Sequence, residues 1–557
     1  MKEYNTKKIH VTFPDGSTRL VDAGISLLEL SKDWEKDFKY TIVAAKVNND
    51  IKELSYRLEE DCMVRFLDLT DEDGMRIYRR SLHFLLVKAV HDVFPERKVI
   101  ISHSIGKGVY CEVIGDKEID EQDLSKIENR MREIVEERIP FIKKTMSTNE
   151  AKEIYKKNNR LDKFHAIEYR TKSYVTVYKC GDMEDYFYGY MVPDTGYLKK
   201  FSLRLYKPGF VLSYPTKYNP DAIPEFGEQK MLFEVFREYK RWGHILGIDN
   251  VGELNDIIKN GQISDIIRVS EALHEKKIAQ IADAITVSTP QKRIVLISGP
   301  SSSGKTTFAN RLAIQLRVNG IKPVTISLDD YFVDREHTPV DENGELDFEA
   351  LEAIDLELFN KHLLELICGN EVEIPIFNFP NGCRESFGRK LRIEDDQIII
   401  IEGIHGLNEK LTFSIPAENK FKIYVSALTS MNIDDHNRIP STDNRIIRRI
   451  VRDYQFRGSS ALSTIKRWPS VRRGEDRNIF PFQEEADIMF NSSLMYELGV
   501  LKVFAEPLLT EVDSSHPEYS EAKRLLEFLS YFLPLDSKEI PANSILREFI
   551  GGSCFYS

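Results

Sequence analysis

The sequence predicts an α/β protein whose C-terminal half is a parallel sheet built around a phosphate-binding loop, preceded by smaller mixed modules. The stretch "RIVLISGPSSSGKTTFANRL" (293–312) reads as a β-branched strand, a glycine-flanked turn and a helix start. Two later apolar runs, "PVTISLDDYF" (323–332) and "QIIIIEGIHGL" (397–407), each end in carboxylates. The four consecutive isoleucines of the second show no alternation, as expected of a strand buried on both faces of a parallel sheet.

At 557 residues the chain is too long for one core, and about 150 residues per domain suggests three or four. Apolar residues make up 42% and charged residues 30%. No apolar run approaches the roughly 20 residues of a membrane-spanning helix, and "MKEYNTKKIHVTF" contains no apolar signal core, so a cytoplasmic protein with no membrane partner is expected. The six cysteines are scattered without a C-x-x-C pair, which argues against a disulfide framework or a zinc knuckle. A net charge of -12 works against unpatterned nucleic-acid binding.

From the N-terminus, "IHVTFPDGSTRLVD" alternates up to the turn Asp15-Gly16 and predicts a hairpin. "ISLLELSKDWEK" has helical spacing, and "TIVAAKVNN" and "CMVRFLDL" read as strands, closing a module near residue 70. Then come the helical "YRRSLHFLLVKAVHDVFP" (78–95) and "DEQDLSKIENRMREIVEERIPF". Residues 226–290, with "VSEALHEKKIAQIADAI", have a helical pattern and run through "STPQKR" into the loop strand.

The N-terminal residues resemble the ubiquitin-like (β-grasp) TGS module and the second, editing-type domain of threonyl-tRNA synthetases, over roughly 5–225. That family's editing site pairs H-x-x-x-H with C-x-x-x-H. Here Arg80 and Phe84 stand at the histidine positions, and Phe187 and Met191 at the cysteine and histidine positions. No stoichiometric zinc and no hydrolytic editing are therefore expected. His83 and His91 read as ordinary structural or solvated histidines. An RNA or nucleotide ligand, a protein partner or a purely scaffolding role stays open for this half, as does a homo-oligomer.

Gly299 through Thr306 fits G-x-x-x-x-G-K-[ST]. In such a loop the glycines let backbone amides curl around phosphate oxygens, the lysine reaches the outer phosphates and the hydroxyl can ligand magnesium. Gly299, Ser301, Ser303, Gly304, Lys305, Thr306 and Thr307 are the candidate ATP contacts. Asp329, at a strand end beside the loop, is placed to accept a proton from an attacking hydroxyl. Glu402 is delivered by a central strand to the Mg2+ that Thr306 would share. The bland alternative for each acid is a loop cap. Arg445, Arg448, Arg449 and Arg452 recur at i, i+3, i+4 and i+7, one helical face that can close over a nucleotide, be solvated or bind RNA.

With "VEIPIFNF" and "RIIRRIVRDYQFRG" added, residues 290–495 resemble the uridine/cytidine kinases and their phosphoribulokinase relatives. The resemblance implies a P-loop kinase fold, with catalysis by Lys305, Asp329, Arg449 and Arg452. It places the acceptor near Tyr331, Phe332, Asp347, Phe377, Arg384 and Arg445, with Asp347 approximating the carboxylate that holds ribose hydroxyls. Phe377 and Gly382 replace a tyrosine and a histidine that typically read a pyrimidine, and the glycine would leave room for a larger base. The expected organisation is a TGS-like module (1–70), an editing-like α+β domain (71–225), a helical connector (226–289), the kinase domain (290–495) and a C-terminal helical extension (496–557). The expected activity is ATP-dependent phosphorylation of a nucleoside 5′-hydroxyl. A kinase of another small polyol and an RNA-responsive ATP-binding regulator are the alternatives.

Overall fold

The computed structural model describes residues 7–288, 292–340, 344, 346–378, 381–394 and 396–555. Parts of "STPQKR" (289–291) and of "IPIFNFPNGCR" (379–380) lie outside them.

The sheet that organises the C-terminal half has five strands in the order Lys322–Ser327, Gln397–Glu402, Ile294–Ser298, Lys420–Ser426, Ile488–Asn491, all parallel. Side chains alternate across a strand, so one run of isoleucines can serve two cores. Ile398 and Ile400 pack with Val295 and Ile297 on one face, and Ile399 and Ile401 with Ile294 and Leu296 on the other. Every residue of Ile294–Ser298 is buried. This is why the strands show no polar alternation, and it fixes the register that carries the loop at 299 and the acids at 329 and 402 to the same sheet edge.

The N-terminal module is a five-stranded sheet in the order Thr18–Asp22, Lys8–Thr12, Cys62–Leu67, Ala44–Val47, Asp50–Glu53. Two of its strands, Lys8–Thr12 and Cys62–Leu67, run parallel at the centre (Val11 opposite Cys62), and Ile9, Val11, Leu27, Leu30 and Val64 fill its core. The long helix Glu72–Val93 then packs on Glu121–Glu137 and on a four-stranded antiparallel sheet. Three helices, Lys230–Leu246, Val251–Lys259 and Ile263–Val287, occupy the stretch before the loop strand. Among the described residues no helix is long and apolar enough to cross a membrane.

A hairpin at 432–438, just before the arginine-rich helix Ser441–Arg457, docks into the editing-like region. Asn432 donates to the Ile101 carbonyl at 2.9 Å, and the Ile101 amide donates to the Asp435 carbonyl at 2.8 Å. Lys163, fully buried, bonds Asp434 at 2.7 Å and the Tyr186 carbonyl at 3.0 Å, while His436 bonds Asp185. Burial alone would raise the Asp185 carboxyl, but Lys163 and His436 hold it far below the usual carboxylate range.

The C-terminal extension bridges the two halves. Arg524 of the helix Tyr519–Leu529 grips Asp443, in the first turn of the arginine helix, at 2.7 and 2.9 Å. Its neighbour Glu521 accepts from Arg76 of the N-terminal half at 2.6 Å. Asn49 and Lys523 add bonds of 2.9 and 2.7 Å between this extension and the first module.

Burial, not separation, sets the worth of these ion pairs. Lys163–Asp434 and Lys144–Glu184 are both 2.7 Å apart, but only the first is out of water. Lys163→Ala is expected to cost about 3–5 kcal/mol in chemical denaturation, because Asp434 is left buried without its cation. Lys144→Ala should cost under about 1 kcal/mol. Equal losses would contradict the docking described here.

Candidate active site

The loop's geometry follows from its two glycines. A Cβ on Gly299 would lie 1.9 Å from the Val425 carbonyl oxygen, so the chain can turn off the strand there only without a side chain. Gly304 adopts φ +85°, which strains any other residue. The helix Lys305–Val318 starts directly after it with no side-chain N-cap, leaving its first amides for an outside acceptor. The hydroxyls of Ser302 and Ser303 are buried without a partner, a second sign that the loop is built around polar atoms it does not itself supply. These features fit a bound polyphosphate. Lys305 folds back on the loop, donating to the Gly299 and Pro300 carbonyls at 3.0 and 3.4 Å.

Asp329 lies in the turn Leu328–Tyr331 at the end of its strand, with its amide bonded to the Ser327 hydroxyl at 3.2 Å. It is open to solvent on one side and crowded by protein on the others. That crowding raises its carboxyl above the ordinary range, against the pull of Lys305 and Arg457. Glu402 ends the strand Gln397–Glu402, next to the central one, and meets the Thr306 hydroxyl. Burial pushes it up to about 7, with Lys305 and the Thr306 hydroxyl opposing, and Glu548 and Asp329 adding to the rise. Two acids and one lysine therefore share an electrostatic environment, and Thr306 with Glu402 form the oxygen set that a magnesium ion would take.

The arginine helix contributes less freely than its face suggests. Arg449 reaches the Ser301 hydroxyl at 2.7 Å, and Arg449 and Arg452 converge on Asp453 at 3.2 and 2.9 Å. Arg448 is fully buried against Glu497 and Ser492. Arg445, expected to contact the acceptor, is buried in a two-pronged pair with Glu475 and donates to the Ser301 carbonyl at 3.1 Å, so it anchors the loop instead.

Tyr331, Arg384 and Asp347, expected at the acceptor, are each engaged by protein groups in this structure. Tyr331 is buried, its hydroxyl meeting His362 at 3.1 Å and its ring set edge-on to Phe359, and so belongs to the core. Arg384 ties the Phe332 and Tyr331 carbonyls and Asp355 together at 3.0–3.1 Å, a clamp on the turn that follows Asp329. Asp347 accepts the Glu349 amide at 3.1 Å in a local turn, and the Glu349 carboxyl feels the positive charge of Arg449 and Lys305. Burial, reinforced by Glu475, pushes Glu349 up to about 7. Phe332 and Phe377 form an apolar wall that is itself mostly buried in the same core as Tyr331, with ring centres 5.7 Å apart and the more exposed Phe348 against Phe332. Gly382 leaves no empty volume. It sits at φ +69°, and a Cβ there would meet Arg335 Nε at 2.6 Å.

Sequence reasoning missed Glu349, Glu475 and Glu548. Glu349 is two residues from the acid chosen, Glu475 is hidden among arginines in "VRRGEDRN", and Glu548 lies 241 positions from Thr307, its partner, with no local signal.

The editing-like pocket is filled by protein. Arg80 donates to the Tyr190 carbonyl at 3.0 Å, Phe84 packs on Phe187 with centres 5.1 Å apart, and the Ser81 hydroxyl meets the Met191 sulfur at 3.4 Å. His436 from the docked hairpin stacks on Phe187 at 6.0 Å. His83 is half-buried, and its imidazole is held well below its ordinary value, first by loss of solvent and then by Arg438 and Arg79.

Residues 294–495 match the Phosphoribulokinase / Uridine kinase family, and residues 9–68 match the TGS domain. Over 196 residues the chain is 34% identical to the threonine–tRNA ligase of Desulforamulus reducens, covering 35% of this chain and 31% of that one. It is 33% identical over 199 residues to the enzyme of Thermotoga neapolitana, covering 35% and 30%. The chain thus spans about a third of the length of these relatives. A solved possible uridine kinase from Bacillus stearothermophilus is 20% identical with a TM-score of 0.27, covering 39% of this chain and 98% of its own. The chain therefore carries a phosphoribulokinase/uridine kinase family domain in its C-terminal half, a TGS domain at its N-terminus and a threonyl-tRNA-ligase-like region in the N-terminal half.

Proposed function

We propose that the protein is a cytoplasmic ATP-dependent kinase that phosphorylates the 5′-hydroxyl of a nucleoside. The family match supports a phosphotransferase. The observation that carries the finer reading is the gathering of Lys305, Asp329, Glu402 and Glu349 around one uncapped helix start, beside the apolar wall of Phe332 and Phe377.

In this reading the loop amides and the Ser302 and Ser303 hydroxyls bind phosphate oxygens. Lys305 leaves the loop carbonyls to meet the outer phosphates. Thr306 and Glu402 would hold Mg2+, which would neutralise phosphate charge when bound. Asp329 accepts the proton of the acceptor hydroxyl, and its raised pKa makes it a better base. Glu349, not Asp347, receives the ribose hydroxyls, and the phenylalanine wall stacks on the base. Arg449 and Arg452 supply positive charge from the arginine helix.

Lys305→Ala and Asp329→Asn are both expected to lower phosphoryl transfer by about 10²–10⁴-fold. Only Lys305→Ala should also weaken ATP binding. Near-normal turnover of Asp329→Asn would show that the base is elsewhere.

No side chain at Phe377 demands a pyrimidine edge, so kcat/KM across uridine, cytidine, adenosine, guanosine and inosine is expected to differ by less than about a hundredfold, or some 2.7 kcal/mol. A larger preference for pyrimidines would place base recognition on other groups, Arg335 over Gly382 being the nearest.

Glu402 titrates near 7 in the folded ligand-free protein and near 4.5 when unfolded. The folded state then holds more protons between these values, so this group's contribution to stability falls as pH rises through that window. Between pH 5 and 7.5 the wild type should lose on the order of 1–3 kcal/mol relative to Glu402→Gln in denaturant titrations. Parallel curves would contradict the seat assigned to this acid.

A further inference from the structure

The anion cradle is not left open to solvent. The amide and hydroxyl of Thr307, on the third residue of the uncapped helix, donate to one carboxylate oxygen of Glu548 at 3.2 and 2.8 Å. The Ser301 amide, at the other side of the loop, donates to Glu475 at 3.0 Å. A helix start with free amides favours negative charge, and here the chain's own acids provide it.

The segment that carries Glu548 is built to hold it there. Ile545 lies against Gly304, where an added Cβ would come 2.5 Å from its Cγ2. Ile545, Leu546 and Phe549 are fully buried. Phe549 lies under the Arg448 guanidinium, 4.9 Å from ring centre to carbon. Arg547 knits the segment to itself through the Ser537 and Ile540 carbonyls, both at 2.8 Å. Upstream, the same extension grips Asp443 of the arginine helix and Arg76 of the N-terminal half.

A phosphate oxygen and the Glu548 carboxylate cannot both take the Thr307 donors, and two anions in contact there repel. We propose that the C-terminal segment 536–555 is an autoinhibitory tail whose Glu548 occupies a phosphate position of the nucleotide site, so that nucleotide binds only as the tail withdraws. The inference rests on the nucleotide-binding reading of the loop. The Glu475 contact is different in kind, since Glu475 is buried between Arg445 and Arg472 and stays with the loop. Ile545, Leu546 and Phe549 hold the tail against the loop and the arginine helix, so nucleotide would displace the Glu548 contact against the cost of loosening that packing.

The test uses the full-length protein without acceptor and a non-hydrolysable ATP analogue with Mg2+. Glu548→Gln removes the charge and Glu548→Ala removes the acceptor; neither touches the buried residues of the tail. Both should bind the analogue about tenfold more tightly than wild type, because a larger fraction of the protein is competent. Hydrogen exchange over 540–555 in wild type should rise when the analogue saturates. Measurable binding with unchanged or weaker affinity in both variants, and a tail whose protection does not change, would overturn the proposal while leaving the nucleotide site standing. Absence of nucleotide binding in wild type and both variants would overturn the nucleotide reading and the tail proposal together.

Discussion

A helix that begins without a cap leaves backbone amides that must find an acceptor, and Lys305–Val318 begins this way at the end of a strand buried on both faces. Neither property is free to change. The strand must enter the sheet centre, Gly299 must turn against Val425, and Gly304 must take a positive φ. The amides are therefore fixed in space before anything binds, and every nearby group is arranged with respect to them. Lys305, Arg445, Arg448 and Arg449 supply the positive surroundings, and Glu475 and Glu548 supply negative charge.

This arrangement accounts for the raised acids. Glu349 and Glu402 lie in protein where burial outweighs the nearby cations, so a cluster of carboxylates coexists only with some of them protonated. A divalent cation and a polyphosphate would rearrange that balance at once, which is how a site can be poised without being rigidly neutral. The N-terminal half enters the same network by contact. Its editing-like pocket receives the hairpin 432–438, and the helix that follows this hairpin carries the arginines. Phe84, Phe187 and Met191 fill that pocket, and Phe187 gives His436 of the hairpin a surface to stack on.

Much of this was legible in the sequence wherever the signal is local. The loop spacing, the isoleucine run and the strand-terminal acids Asp329 and Glu402 reflect backbone geometry over a few residues, and the parallel sheet follows from them. The acceptor side was less legible because its roles depend on which way neighbouring side chains turn. Asp347 and Glu349 differ by two positions, and only the turn that consumes the Asp347 oxygen separates them. Arg445 sits on the predicted helical face, yet Glu475, 30 residues on, decides that it is buried rather than offered. Gly382 reads as vacant volume until Arg335 is seen to cover it. Glu548 had no signal at all, since its partner is 241 positions away.

The most direct measurement of the central claim is product identification. Incubation with Mg2+, ATP and a mixture of nucleosides, followed by phosphorus–proton correlation NMR of the products, should give ADP and a nucleoside monophosphate coupled to the 5′-methylene protons in equal amounts. ADP released with free phosphate, or phosphate coupled to any other position or only to a non-nucleoside alcohol, would contradict the account.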